Sequence, residues 1–213
     1  MSFQELLHKL INLRIIKKLL TENRFFVKNY FNFLYFKSDP YGICNDKEVE
    51  KFDYAFKLVK NQQFEKGLEI GCGEGRNTWR LAKICDFVDA LDISDLAIKR
   101  ARKICTQSNV NFEVFDIVTN PFVNTYNFIF CSEVLYYLHL NQLRPITEKI
   151  ITALHSKGII LLVHSRSLKD DSSGLNLKEY GAKTIHEHFI KHPLLKMIYD
   201  EETFHFRFTQ LSK

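Results

Sequence analysis

Phe3, Leu6, Leu7, Leu10, Ile11, Ile15, Ile16, Leu19 and Leu20 recur at threes and fours. That is the spacing of one face of a helix, so an amphipathic helix is expected over about residues 3–20. A second stretch, rich in aromatics, comes next with Phe25, Phe26, Tyr30, Phe31, Phe33, Tyr35 and Phe36. Two readings of this part of the chain stand side by side. Either a pair of helices lids or flanks the neighbouring domain, rings inward and lysines in water, or the segment lies on a membrane surface or an anionic partner. Ser38-Asp39-Pro40-Tyr41-Gly42 is turn-rich and divides a helical extension, 1–38, from a domain, 39–213. A helix is then expected over about 47–61, with Val49, Phe52, Phe56 and Val59 on one face.

From residue 66 the pattern changes to short apolar runs separated by helical spacing. The runs 67–70, 87–91, 111–115, 128–131 and 159–163 read as strands. Helices are expected over 77–84 and 94–105, the latter capped by Ser94, and from Val134 to Leu140 as the start of another. Such alternation builds a parallel sheet covered on both faces, with ligands in the crevice at the C-terminal ends of the strands. The end of the chain differs. A helix over 182–191 precedes two strand-like runs, 194–199 and 203–211, with Asp200-Glu201-Glu202 as the turn between them. These are expected to close the sheet as an antiparallel hairpin.

Composition narrows the class. With 213 residues, 46% hydrophobic, the chain suits one good core and is too apolar for a disordered chain. No run of about 18 uncharged apolar residues offers a membrane span. The formal charge of +5 is unevenly placed: residues 1–38 hold seven basic and two acidic residues, and the remainder holds 23 of each. A neutral body argues against a nucleic-acid partner. Cys44, Cys72, Cys85, Cys105 and Cys131 are odd in number and lack ligand spacing, so no metal site is expected and they read as reduced thiols in a cytoplasmic protein. Lys9, Arg14, Lys17 and Lys18 interrupt the early apolar residues, which speaks against a signal peptide.

Four features fall at the ends of successive strands. The first strand runs into Glu69-Ile70-Gly71-Cys72-Gly73-Glu74-Gly75, whose glycines permit a tight turn and a close approach of a ligand to the backbone. The second ends at Asp92-Ile93, where a carboxylate can accept from both ribose hydroxyls. The third ends at Asp116-Ile117, a carboxylate and an amide suited to an adenine edge, and the fourth at Ser132-Glu133. A nucleoside with a polar tail fits the set. A pyrophosphate turn would want its third glycine where Arg76 stands, and Glu69 would repel a pyrophosphate yet suit the ammonium of a methionine tail. The sulfonium cofactor is favoured over a dinucleotide.

With these residues in view, the chain resembles the class I S-adenosylmethionine-dependent methyltransferases. The matching segments are Leu68 to Gly75, Ala90-Leu91-Asp92-Ile93-Ser94, Phe115-Asp116-Ile117 and Phe128 to Leu138. Within that superfamily it is similar to the nodulation-protein S branch, small-molecule methyltransferases that include an N-methyltransferase of chitooligosaccharides. The closer likeness rests on Asp39-Pro40-Tyr41-Gly42, Ser132 to Tyr137, Val163-His164 and Gly181 to His186, and it covers about residues 39–211. The resemblance implies a Rossmann-like, doubly wound α/β fold with a seven-stranded sheet whose last strand is antiparallel. It also implies S-adenosyl-L-methionine as cofactor, with Gly71 and Gly73 beside the methionine, Asp92 and Ile93 at the ribose, Asp116 and Ile117 at the adenine, and Ser132 near the methionine.

The expected activity is methyl transfer to an N or O of a small molecule such as an amino sugar or secondary metabolite. A methyltransferase of protein or nucleic acid, or a non-catalytic cofactor-binding protein, is the alternative. His164, directly after the fifth strand, is the candidate proton acceptor on the crevice edge, or else merely caps a strand end. Glu133 either attracts an ammonium substrate or begins a helix, and Tyr136 and Tyr137 read chiefly as packing residues. His186 is read as part of a solvated helix face, and His139 has no evident partner.

Overall fold

The computed structural model describes residues 23–166 and 180–213. The helix expected over 3–20 lies outside them. In chain order the elements are α1 (Arg24–Leu34), α2 (Asp46–Lys57), β1 (Phe64–Ile70), α3 (Thr78–Ala82), β2 (Cys85–Asp92), α4 (Asp95–Ile104), β3 (Val110–Val114), β4 (Tyr126–Ser132), a 3₁₀ turn (Leu135–Tyr137), α5 (Leu140–Ala153), β5 (Leu154–Ser165), α6 (Ala182–Ile190), β6 (Lys196–Glu202) and β7 (Phe206–Ser212). The seven strands form one sheet in the order β3-β2-β1-β4-β5-β7-β6. β1 to β5 pair in parallel, and β7 runs antiparallel to both β5 and β6. Strand order reverses between β1 and β4, which opens the crevice of a doubly wound sheet there.

Alternation along the central strands divides the core in two. Phe128 and Phe130 of β4, with Leu161 and Val163 of β5, pack on one face with Phe52, Phe56, Leu81 and Ile98 from α2, α3 and α4. Ile129, Cys131, Ile160 and Leu162 point to the other face, against Leu143, Ile146 and Ile150 of α5 and Ile185 and Phe189 of α6. Both faces are covered, which is why these strands read as unbroken apolar runs. No helix among the described residues is long and apolar enough to cross a membrane.

Local chemistry sets the element ends. Ser94 accepts from the Ala97 amide at 3.1 Å and starts α4 as expected. The turn at Asp39 to Gly42 is closed by the Gly42 amide on the Asp39 carbonyl at 3.1 Å, while the Asp39 carboxylate accepts from the amides of Ile43 and Cys44. Two expectations are corrected. The helix expected from Val134 begins only at Leu140, because Glu133 sits at φ 57 and the chain makes a 3₁₀ turn before His139 returns to extended backbone. The acidic run Asp200-Glu201-Glu202 belongs to β6, and the turn falls at Thr203 to His205. Arg207 on β7 holds Asp200 at 2.8 Å and Glu202 at 3.1 Å, so those carboxylates are paired across the strands. The Thr203 hydroxyl accepts from the Phe206 amide at 3.0 Å and closes the turn.

Phe128 is fully buried at the centre of the sheet and stacks on Phe64 at 4.7 Å. Phe128→Ala is expected to cost about 3–5 kcal/mol, measured by urea unfolding. A loss under about 1 kcal/mol would show that this layer is not tightly packed.

Candidate active site

A cavity of about 340 Å³ opens at the C-terminal ends of β1 to β4. Of the residues singled out from the sequence, Glu69, Gly71, Gly73, Asp92, Ile93, Asp116, Ile117 and Ser132 all line it. A further wall comes from Arg24, Val27, Phe31 and Tyr35 of the N-terminal extension, and from Asp39 to Tyr41. The described part of the extension therefore roofs the crevice.

The loop after β1 is built on left-handed backbone. Gly71 (φ 77) and Gly73 (φ 54) occupy conformations that a side chain rarely adopts. A Cβ at Gly71 would fall 2.3 Å from Val134 Cγ2, and one at Gly73 would fall 2.7 Å from the Tyr35 hydroxyl. The amides of Gly71 and Cys72 both donate to the Leu91 carbonyl, which fastens the loop to the end of β2. Asp92 completes that fastening. One oxygen accepts from the Gly73 amide at 3.0 Å and the other from the Ser94 amide at 2.9 Å. The carboxylate keeps acceptor capacity for a ligand hydroxyl beyond these amides.

Burial sets the protonation of the two acids nearest the loop. Glu69 is buried and accepts from the Thr78 hydroxyl at 2.6 Å. Desolvation pushes its pKa up to about 8, with the Thr78 bond opposing and Asp92 adding. Desolvation likewise raises Asp92 to about 6, against the amides of Ser94, Gly73 and Ile93. At neutral pH Glu69 is thus largely uncharged until a cation approaches it.

Asp116, at the β3 corner, receives both Nε and Nη2 of Arg24 at 2.6 Å. Its Oδ1 also accepts from the Val118 amide at 2.9 Å. Arg24 stands 92 residues earlier in the chain, and no feature of the sequence links the two.

At the β4 end, Glu133 is the centre of a polar cluster. Its carboxylate accepts from the hydroxyl of Ser165 at 2.8 Å and from the hydroxyl of Tyr136, and it pairs with the buried ammonium of Lys51 at 3.2 Å. Lys51 also pairs with Glu48, another cavity residue. Burial alone would raise the Glu133 pKa, but Lys51 and His164, with the Tyr136 and Ser165 hydroxyls, hold it below the usual carboxylate value. Glu133 is therefore an anion. Glu133 holds left-handed backbone (φ 57) and lines the cavity. Burial keeps the phenols of Tyr35 and Tyr136 protonated by raising their pKa values.

The expectation for His164 is corrected in position. β5 continues to Ser165, and alternation along it turns His164 inward, toward α6, while Ser165 faces the cavity. His164 is fully buried, does not line the cavity, and lies behind Tyr136 with ring centres 5.6 Å apart. Its Nδ1 is 3.1 Å from Nε2 of His186, whose Nδ1 is 2.5 Å from the Thr209 hydroxyl. His186 is accordingly buried rather than solvated, and burial keeps it neutral. Among the described residues no group of histidines, cysteines and acids could hold a metal ion.

The raised pKa of Glu69 fixes a pH dependence. Between its unfolded value near 4.5 and its folded value of about 8 the unfolded chain has released a proton that the folded chain retains, so stability falls as pH rises across that window. Asp92 adds to the fall between about 3.8 and about 6. Urea unfolding of the unliganded protein is expected to show the decline, and Glu69→Gln to flatten its upper part. An unchanged slope in the variant refutes the assignment to Glu69.

Comparison with known proteins agrees with this geometry. The model of the Nodulation protein S (NodS) family matches residues 36–191. Nodulation protein S of Azorhizobium caulinodans is 33% identical over 123 residues, 56% of this chain and 59% of that protein. Its counterpart in Sinorhizobium fredii is 28% identical over 124 residues, 56% of this chain and 57% of that protein. The matched segment thus spans little more than half the length of these curated relatives. Among solved structures, N-methyltransferase NodS from Bradyrhizobium japonicum WM9 in complex with S-adenosyl-L-homocysteine has a TM-score of 0.77 at 21% identity, covering 87% of this chain and 97% of that one. That likeness carries the fold, a seven-stranded sheet with one antiparallel strand near its end. On the family match, which takes in the glycine loop, every strand-end acid and the Glu133 cluster, the chain belongs to the NodS family.

Proposed function

We propose that the chain is a cytoplasmic S-adenosyl-L-methionine-dependent methyltransferase acting on an amine of a small molecule. The observation that carries this reading is that one cavity joins the glycine loop and three strand-end acids to an ionised carboxylate, Glu133. The Azorhizobium and Sinorhizobium relatives and the crystallised N-methyltransferase NodS lend the reaction class. Five free thiols, four of them buried, suit a reducing compartment.

The residues fit the cofactor. Ser132 lines the cavity, and its buried hydroxyl meets no hydrogen-bond partner among the described residues, so a polar ligand group beside it would satisfy it. Glu69 would take the ammonium of the methionine moiety, ionising as it does so. Asp92 and Ile93 would hold the ribose, and Asp116 and Ile117 the adenine edge, with Arg24 yielding or sharing Asp116. When bound, the sulfonium supplies an already activated methyl group. The protein's remaining task is alignment and exclusion of water.

Glu133 and Tyr136 do the aligning in this reading. The carboxylate accepts a hydrogen bond from the acceptor N–H and directs the nitrogen lone pair along the cavity. Lys51 keeps Glu133 ionised, and His164, through Tyr136, is a positioning residue rather than one that touches substrate. The roof of α1 and the turn at Asp39 to Gly42 limit the acceptor's size, and the neutral charge of the body supports a small molecule over a nucleic acid.

Labelled methyl transfer into a panel of small primary amines and alcohols tests the reading: label in the amines supports it, and label only in alcohols, protein or RNA overturns it. Asp92→Ala is expected to weaken S-adenosylhomocysteine binding by at least roughly tenfold in calorimetry, the loss of a charged hydrogen-bond acceptor. Glu133→Gln is expected to lower kcat by about 10²-fold with cofactor affinity unchanged. His164→Ala should lower kcat less and shift the acid limb of the pH profile, while equal turnover and an unmoved profile would remove its positioning role.

A further inference from the structure

Between the glycine loop and Glu133 the cavity is walled by rings. Phe31 of α1, Tyr35, Tyr41, Tyr136 and Tyr137 all line it. Neighbouring rings are steeply inclined: Phe31 and Tyr137 stand at 90° with centres 5.3 Å apart, Tyr136 and Tyr137 at 66° and 4.9 Å, and Tyr35 and Tyr41 at 73° and 5.9 Å. Tyr137 is hydrogen-bonded to Tyr41, which joins the two groups. Inclined pairs are ordinary packing inside a core, but these rings border one cavity, so their angles make them the sides of a box.

Glu133 supplies the charge. Its Oε1 accepts from the Ser165 hydroxyl at 2.8 Å and from the Lys51 ammonium at 3.2 Å, and its Oε2 accepts from the Tyr136 hydroxyl. A carboxylate oxygen has two acceptor positions, so Oε1 is filled and Oε2 keeps one. The side chain is 21% exposed and lines the cavity. Glu48, the second acid here, also pairs with Lys51, and two carboxylates over one ammonium leave one net negative charge.

These walls define a guest. Ring faces attract a cation and contact apolar groups, yet they do not replace the hydrogen bonds that water gives to N–H donors. A primary ammonium brings three such donors, and withdrawing them from water without acceptors is costly. A nitrogen that already carries methyl groups presents a single N–H to Oε2 and its methyls to the rings.

Resting on the methyltransferase reading above, we propose that this part of the cavity is an aromatic box for an N-methylated amine, so that the chain adds a methyl group to a nitrogen that already bears one. The neutral secondary amine gives its lone pair to the sulfonium methyl: the N–C bond forms, the C–S bond breaks and sulfur keeps the bonding pair. The product is a tertiary ammonium whose one N–H stays on Glu133. The positive charge that develops on nitrogen is what the rings and Oε2 favour, so the box acts on the transition state more than on the neutral amine.

Two measurements test this. In a ligand-observed NMR titration of the full chain, trimethylammonium is expected to bind at least roughly tenfold more tightly than methylammonium. Tyr137→Phe should keep that ratio and Tyr137→Leu should lose it, with Phe31→Leu taking its place if the leucine variant does not fold. In labelled methyl transfer, kcat/KM is expected to be at least roughly tenfold higher for N-methylbenzylamine than for benzylamine. Equal or reversed affinities in the parent chain, a ratio that survives removal of the ring or is lost while the ring is kept, or equal or faster turnover of the primary amine overturns the box. Transfer to neither of these amines nor to any of the panel above, with the binding ratio intact, overturns the methyltransferase reading instead and retains the site as one for methylated ammonium.

Discussion

The buried carboxylate of Asp92 is the tie on which the site depends. Its two oxygens accept from the Gly73 amide in the turn after β1 and from the Ser94 amide at the start of α4. Two loops that leave adjacent strands are thereby held at fixed separation. Burying a carboxylate is costly, as its raised pKa records, and the backbone amides aimed at it offset part of that cost. The left-handed backbone of Gly71 and Gly73 is what lets the loop pass close enough for the bond to form.

The cavity uses its acids in two states. Beside the glycine loop, Glu69 is held largely neutral by desolvation, which the Thr78 hydroxyl opposes without overcoming. At the opposite end Glu133, only partly buried, stays ionised because Lys51, His164, Tyr136 and Ser165 surround it. The charged and hydroxyl partners around Glu133, which Glu69 lacks apart from Thr78, separate the two. It suits a site where one acid waits for an arriving cation and the other is a standing anion.

Much of this was legible along the chain. The glycine loop, Asp92 and Asp116 stand at the ends of apolar runs, and a parallel sheet gathers strand ends into one crevice, so their shared cavity follows from the alternation itself. His164 shows where such reading fails. The strand runs two residues past the end of the apolar run, which carries His164 to the face under α6 and gives the crevice to Ser165, because side chains alternate sides at every residue. The acidic run in β6 failed for a related reason, since its strand pairing depends on Arg207 in the neighbouring strand.

The sequence by itself determined the fold class, the strand-end acids and the uneven placement of charge along the chain, because these rest on periodicity and charge within short windows. Only the tertiary structure decided which residues meet across long separations: Arg24 with Asp116, Lys51 with Glu133, and Tyr35 with the turn at Gly73. Such pairs carry no local spacing. They exist because the crossovers of the sheet bring distant segments to the same strand ends, and because a buried charge in that crevice must find its counter-charge wherever the chain supplies one.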